Sequence, residues 1–359
     1  MTSHPGSQAD REPGSQAGSE SDSEADSEAD SEAAVLAIDG GNSKTDLALV
    51  SRDGTVRAAL RGPGASQEHY GIDGALSRLG EMIRALAGQA GLDPPGLIAG
   101  HLSACLAGAD LPEEEAALSA ALAAGGWSRS AVAVNDTFAV LRGGAADARW
   151  GAAVTCGAGI NCVAAGPDGR TARYLAHGTL TGDWGGGRSL ARAVMWHAMR
   201  GWDGRGPATA LTAAAADCFG LASVREVAVA VHRGDLSRAE LHRLTAVLFA
   251  VAAAGDPVAR SLVTRQAAEV SAMAAAAMGR IGLAPAGVPV VLGGGLLEAR
   301  DPLLLAEVGR ELAAAAPGAV AQVIDVPPVA GAALLGLDQV AAPDAARRRL
   351  LGWYRARPG

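Results

Sequence analysis

Short apolar runs closed by glycines, acids and turn residues recur along the chain, and their order predicts an α/β protein. Ala34–Ile38 is the first such run; it ends in Asp39-Gly40-Gly41-Asn42-Ser43-Lys44-Thr45, and a second run leaves at once from Asp46 to Val50. Arg52-Asp53-Gly54 supplies a hairpin turn and Thr55–Leu60 a third strand. A loop containing Gly64-Ala65-Ser66-Gln67 leads to a helix over Gly74–Gln89, with Leu76, Leu79, Ile83 and Leu86 on one face and Pro94-Pro95 beyond its end. Leu97–Leu106 reads as a strand. Pro112 opens a helix whose first turn holds Glu113, Glu114 and Glu115, the charge that suits a helix N-terminus. Ala131–Val134 is a short buried strand that runs into Asn135-Asp136-Thr137.

The opening pattern then returns. Gly151–Thr155 is a strand, Cys156-Gly157-Ala158-Gly159 a glycine turn, Ile160–Ala165 a strand, Pro167-Asp168-Gly169 a hairpin turn and Thr171–Leu175 a third strand. Two copies of strand, glycine turn, strand, Asp-Gly turn and strand are most economically an internal duplication. The loop His177–Gly187 carries Asp183 and Trp184 among glycines, and a helix follows over Ser189–Arg200 with Ser189 as N-cap. Helices are expected over 208–218, 224–231, 237–254 and 256–281. Val288–Leu292 is a strand closed by Gly293-Gly294-Gly295, then come a helix over 302–315 and a strand over 320–326. A helix over 329–337 passes through Gly331, and a last one over 344–354 is expected to pack back on the first lobe.

Length and charge narrow the class. The chain has 359 residues, 49% hydrophobic, which suits two domains once residues 1–33 are set aside as a disordered acidic tail. The expected division is 34–135 for the first lobe, completed by the C-terminal helix 338–357, and 136–337 for the second. The tail holds nine acids against one base, which accounts for the whole net charge of −8. The remaining chain is neutral, so no basic face invites nucleic acid. The tail reads as a solubilising extension or an acidic interaction segment. Four cysteines lack metal-ligand spacing, and no apolar run is long enough for a membrane span or shaped like a leader, so a cytoplasmic location is expected.

The candidate chemistry gathers at the glycine turns. Gly40 and Gly41 allow backbone N–H groups to approach an anion. Ser43 and Thr45 add hydroxyls, Lys44 is the only lysine in the chain, and Asp39 suits a metal ion or its water. A tight hairpin turn is the plainer reading of the same residues. Three glycine turns after buried strands nevertheless favour a nucleotide, with the first two on the β- and γ-phosphates and Gly293–Gly295 on the adenosine. Asp136, just past a buried strand, is a general base for a hydroxyl or a helix cap. Asp183 is a ligand for sugar hydroxyls or a turn residue.

These motifs together, with Pro327-Pro328-Val329-Ala330-Gly331-Ala332, resemble the BadF/BadG/BcrA/BcrD-type ATPase family, which includes N-acetylglucosamine kinases, within the actin–hexokinase–Hsp70 superfamily. The resemblance implies an α/β fold of two ribonuclease-H-like (actin-like ATPase) lobes around a central nucleotide cleft, with ATP and Mg²⁺ as cofactors. It implies phosphate contacts from Gly40, Gly41, Asn42, Ser43, Lys44, Thr45, Gly157, Ala158, Gly159 and Asn161, with Gly293, Gly294 and Gly295 as the adenosine motif. It makes Asp136 the general base, places Asp183, Gln67, Asn135 and Asp136 at a sugar substrate, and gives Asp39 to Mg²⁺, through water. A homodimer is compatible with it. Three positions depart from the family pattern: Trp184 follows the loop acid where glutamate is usual, Ala158 and Ile160 replace hydroxyl residues, and Gln67 stands where an asparagine often contacts sugar. The rival reading is a nucleotide-binding regulator or activase-type ATPase acting on a protein partner.

Overall fold

A computed structural model describes residues 33–92 and 96–357. The acidic tail up to residue 32 and the Pro94-Pro95 break lie outside the described residues. The first sheet contains β1 (Ala33–Gly40), β2 (Lys44–Val50), β3 (Val56–Pro63), β4 (Ala99–Leu106) and β5 (Ser128–Asn135), in the spatial order β3-β2-β1-β4-β5. The second contains β6 (Gly151–Cys156), β7 (Ile160–Ala165), β8 (Thr171–Arg173), β9 (Pro289–Gly293) and β10 (Val320–Val323). Its order, β8-β7-β6-β9-β10, repeats the first sheet strand for strand. In both copies the first three strands are antiparallel neighbours and the last two add in parallel. The duplication read from the glycine turns is therefore a duplication of topology.

Both faces of each sheet are covered, which is why the central strands are continuous apolar runs. In β1, Leu36 and Ile38 face an outer core with Leu79, Ile83 and Leu86 of the helix Gln67–Gln89, while Val35 and Ala37 face the other way. That inner face packs on the helix Pro328–Gln339, which lies between the sheets with the helix Thr137–Gly144. The two helices cross at Gly331, where an added Cβ would stand 1.9 Å from the Ala139 carbonyl oxygen, so only glycine permits the approach. Buried Arg142 donates to Asp338 across this crossing at 2.7 Å, and Arg347 of the last helix donates to the same carboxylate at 2.8 Å. That last helix, Asp344–Arg355, lies on the first sheet: Ala346 backs onto Gly54, and Arg349 pairs with Asp53.

Several elements differ from expectation for local reasons. The first helix begins at Gln67, seven residues early, because Ser66 caps it by accepting from the Glu68 N–H; Gly71 (φ 66°, ψ 174°) then interrupts it. Ser189 is not an N-cap: the helix Gly186–Trp202 starts three residues before it, with Gly185 in the cap position. The expected helix over 237–254 is a 3-10 turn, Glu240–Arg243, followed by the helix Leu244–Ala253. The strands over 171–175 and 320–326 stop at Arg173 and Val323. Among the described residues no single helix is long and apolar enough to cross a membrane.

Candidate active site

The register of the first sheet aligns three chain reversals. Gly40, Leu106 and Asn135 are cross-strand neighbours at the ends of β1, β4 and β5. Asp39 to Lys44, Ala107 to Asp110, and Asp136 therefore emerge along one edge, the carboxyl end of parallel strands where open α/β sheets place their ligands. The second sheet does the same: Thr155 pairs with Gly293, so the Gly157–Gly159 and Gly293–Gly295 turns leave side by side.

In the first turn, the Gly41 N–H closes on the Lys44 carbonyl at 2.9 Å. Asn42, Ser43 and Lys44 are exposed. Lys44 lies 3.8 Å from Asp46, whose carboxylate also takes the Arg61 guanidinium at 2.6 Å. The side chain of Thr45 is fully buried and its hydroxyl has no partner, so it lines the floor of the turn rather than its rim. Asn42 is tied to Glu68 and His69 at 3.2 Å each.

The second turn is all backbone. Gly157 N–H bonds the Gly159 carbonyl, and the Gly187 and Arg188 N–H groups bond the carbonyls of Gly157 and Ala158. Gly186 is at φ +74°, and a Cβ there would sit 2.2 Å from the Gly159 oxygen, so Gly186 and Gly187 lock this turn in place. In the third turn Gly294 is at φ +83°, and its N–H donates to Glu298 at 2.7 Å.

The acids converge. Asp39 is partly buried, and its carboxyl is pushed up to about 8, first by burial and then by the charges of Asp136 and Asp46, with Lys44 opposing. Asp136 is also raised, chiefly by burial, while bonds from Thr137 pull the other way. Asp136 occupies the N-cap position of the helix Thr137–Gly144 but makes no capping bond. The side chain of Asn135 takes that role, accepting from the Thr137 N–H at 2.9 Å, while the Asp136 carboxylate takes the Thr137 hydroxyl at 3.3 Å.

A cavity of about 560 Å³ is lined by Asp110, Thr181, Asp183, Tyr174, Arg173 and Arg280, among others; of the residues expected at a sugar, Asp183 lines it and Gln67, Asn135 and Asp136 do not. Its size is that of a small-molecule site. Asp183 is held by the Thr181 hydroxyl and by its own N–H on the Gly178 carbonyl. Asp110 was not singled out by sequence, yet it is 7% exposed and joins the lobes, accepting from Asn135 at 2.8 Å and from Asn161 of the second lobe at 3.3 Å. Its carboxyl is pushed up to about 7, first by burial and then by Asp136. The Asn161 side chain thus points to Asp110 and Asn135, not to the Gly157–Gly159 turn beside it. Asn135 is itself buried, with its side chain occupied by Asp110 and the Thr137 N–H. The side chain of Gln67 donates to the Gly108 carbonyl and so steadies the Asp110 loop. Trp184 turns into the second-lobe core beneath the Arg265 guanidinium, 4.0 Å from its ring centroid, and leaves the cavity to Asp183. Arg173 pairs with Glu115 at 2.7 Å, a second tie between the lobes.

A duplicated sheet on each side, crossed helices between them and glycine turns at both strand edges define the actin-like ATPase fold that sugar kinases use. The chain belongs to the BadF/BadG/BcrA/BcrD ATPase family, whose model matches residues 36–336. It is 26% identical to an N-acetylmuramic acid/N-acetylglucosamine kinase of Clostridium acetobutylicum over 243 residues, which is 66% of this chain and 76% of that protein. An N-acetyl-D-glucosamine kinase of Dictyostelium discoideum is 23% identical over 311 residues, 84% of this chain and 97% of the relative. Among solved structures, a Chromobacterium violaceum protein assigned as an N-acetylglucosamine kinase superposes with a TM-score of 0.66 at 23% identity, covering 86% of this chain and 99% of the other. The ROK hexokinase of Thermus thermophilus has the same fold, with a TM-score of 0.52 at 17% identity over 86% of this chain and 99% of the other.

Proposed function

We propose that the protein is an ATP-dependent kinase that phosphorylates a hydroxyl of an amino sugar or N-acetylhexosamine such as N-acetylglucosamine, with Asp136 as general base. The observation that carries this reading is the Asp136 carboxylate at the end of β5, which caps no helix and lies beside Asp39 and within electrostatic reach of Asp110 in the cavity. The names of the two curated relatives support the substrate class.

In this reading Gly40, Gly41, Ser43 and Lys44 face the phosphates from one lobe and Gly157–Gly159 from the other, with Gly293–Gly295 at the adenosine. Crowded carboxylates at Asp39 and Asp136 fit a divalent cation, which one or two carboxylates commonly hold with the substrate's phosphates. Asp39 would hold Mg²⁺, which neutralises charge on the transferring phosphoryl group when bound. Asp183 and Asp110 accept hydrogen bonds from sugar hydroxyls. The attacking hydroxyl passes its proton to Asp136 as its oxygen bonds the γ-phosphorus, and the bond to the bridging oxygen breaks to release ADP. Closure of the lobes excludes water and so suppresses ATP hydrolysis.

The test is to incubate the protein with ATP, Mg²⁺ and a panel of hexosamines and to detect sugar phosphates by mass spectrometry. A phosphorylated amino sugar is expected. ATP binding with no phosphorylation of any member would move the protein to the regulator or activase reading.

A further inference from the structure

A second cavity, of about 600 Å³, lies along the helix Gly186–Trp202, away from the residues that line the substrate cavity. Its floor is apolar, built from Ala191, Met195 and Met199 of that helix with Val231 and Leu241 opposite. Five arginines stand around this floor: Arg188, Arg192, Arg200, Arg205 and Arg238. Among the described residues no carboxylate lines it. Arg188, Arg192 and Arg238 have neither an ion pair nor a side-chain hydrogen bond there. The other two are positioned by neighbours. Arg205 is gripped by Asp203, and Arg200 donates to the Arg205 carbonyl while lying 4.5 Å from the centroid of the Trp196 ring. Trp196 is 55% exposed, an unusual display for an indole in a cavity wall.

An apolar floor with an exposed indole takes a flat or greasy group, and guanidiniums without counterions take an anion, with the fork geometry that suits phosphate. Neutrality of the chain outside its tail makes this local excess of positive charge a feature of the groove rather than of the surface at large. We propose that the groove is a second ligand site, separate from the nucleotide cleft, for an organic phosphate whose non-phosphate part is flat or apolar. Its near end adjoins the second phosphate turn, since the Arg188 N–H bonds the Ala158 carbonyl at 3.0 Å. A ligand there is thus placed to influence how that turn receives a nucleotide.

The experiment uses 8-anilinonaphthalene-1-sulfonate, an aromatic anion, as a fluorescent probe on the full chain, with the cleft first filled by saturating adenylyl imidodiphosphate. The probe is expected to bind, and Arg192→Glu with Arg238→Glu together to weaken it at least tenfold, with KM for ATP and melting temperature unchanged. Arg192→Gln with Arg238→Gln serves if charge reversal perturbs folding, and is expected to give the same direction of effect. Adenosine monophosphate, a phosphate on a flat base, is expected to displace the probe, and glucosamine 6-phosphate, a phosphate on a polar sugar, is not; displacement by the sugar phosphate but not by the nucleotide overturns the proposal. Equal probe affinity in wild type and both variants overturns the proposal. So does expulsion of the probe by the ATP analogue, which would make the groove an arm of the nucleotide cleft, or displacement by inorganic phosphate as effective as by adenosine monophosphate.

Discussion

The first two glycine turns, one on each sheet, stand on identical strand arrangements and are built differently. The first, between β1 and β2, displays side chains: Asn42, Ser43 and Lys44 are exposed, with Lys44 tethered loosely to Asp46. The second, between β6 and β7, displays only backbone and is clamped from behind by the N–H groups of Gly187 and Arg188. Duplication supplied the scaffold twice; the first copy carries its cation, Lys44, in the turn itself, whereas the second is clamped and has its cation, Arg188, in the helix behind it. Phosphoryl transfer needs both cation and clamp, because positioning and charge neutralisation do most of the catalytic work.

The sharpest way to break this contrast is to disturb the clamp. Gly186→Val places a side chain against the Gly159 backbone at a positive φ, so the second turn must move. A loss of ATP affinity of about 100-fold is expected by calorimetric titration, with circular dichroism reporting an intact fold. Gly41→Ala in the first turn is the control, since its Cβ would lie 3.1 Å from the Lys44 carbonyl and needs only a small adjustment; its loss should stay under about tenfold.

The joint between the lobes comes next. Burial alone would raise the Asp338 carboxyl, but the bonds from Arg142 and Arg347 hold it below the usual range. A carboxyl lowered in the fold adds stability above its unfolded pKa, and that contribution is lost as pH falls through the folded value. Asp338→Asn leaves buried Arg142 without its counterion and should cost about 3 kcal/mol in urea denaturation at pH 7. The gap between variant and wild type should narrow below about pH 4.

Two changes in the first turn carry smaller effects. Lys44→Met removes the one cationic side chain of the turn and should raise KM for ATP about tenfold, the scale of one charge-assisted hydrogen bond. Its melting temperature should stay put, because the exposed 3.8 Å pair with Asp46 contributes little. Asp39 is the opposite case. With its carboxyl raised from 3.8 to about 8, it favours the fold when protonated and loses that contribution as pH climbs between those values. Asp39→Asn should therefore raise the melting temperature of the nucleotide-free protein at pH 8, by about 2–4 °C for each kcal/mol relieved, and change it little at pH 3. Activity should fall in the same variant. Thermal scans at the two pH values check the sign.

The duplicated strands were legible because buried strands ending in glycine and Asp-Gly turns are local signals. The three glycine turns, Asp136 and Asp183 stand out as candidates because each sits at or near a buried strand's end or in a glycine-rich loop. Asp110 was missed because its importance is tertiary: it sits in an ordinary Ala-Gly-Ala-Asp loop before Pro112, and only the fold brings Asn135 and Asn161 to it. The one available hint was an acid placed between a strand end and a capped helix. Gly331 belongs to a family motif and to a helix in the sequence, but nothing local reveals that another helix crosses there. Ser189 looked like an N-cap because serine after glycines usually is one, but bonds from Gly186 and Gly187 to Gln266 and Gly157 pull the helix start forward. Thr45 was counted with the phosphate ligands by sequence proximity, and strand alternation turned it inward.

The central claim is that Asp136 takes the proton of a sugar hydroxyl while both turns hold ATP. Its most direct measurement is sugar-dependent ADP release by wild type and Asp136→Asn under saturating ATP and Mg²⁺, with ATP affinity determined in parallel. The variant should bind ATP as tightly as wild type and lose about 10²–10⁴ in kcat, the usual contribution of a positioned base. Undiminished turnover in Asp136→Asn would contradict the account.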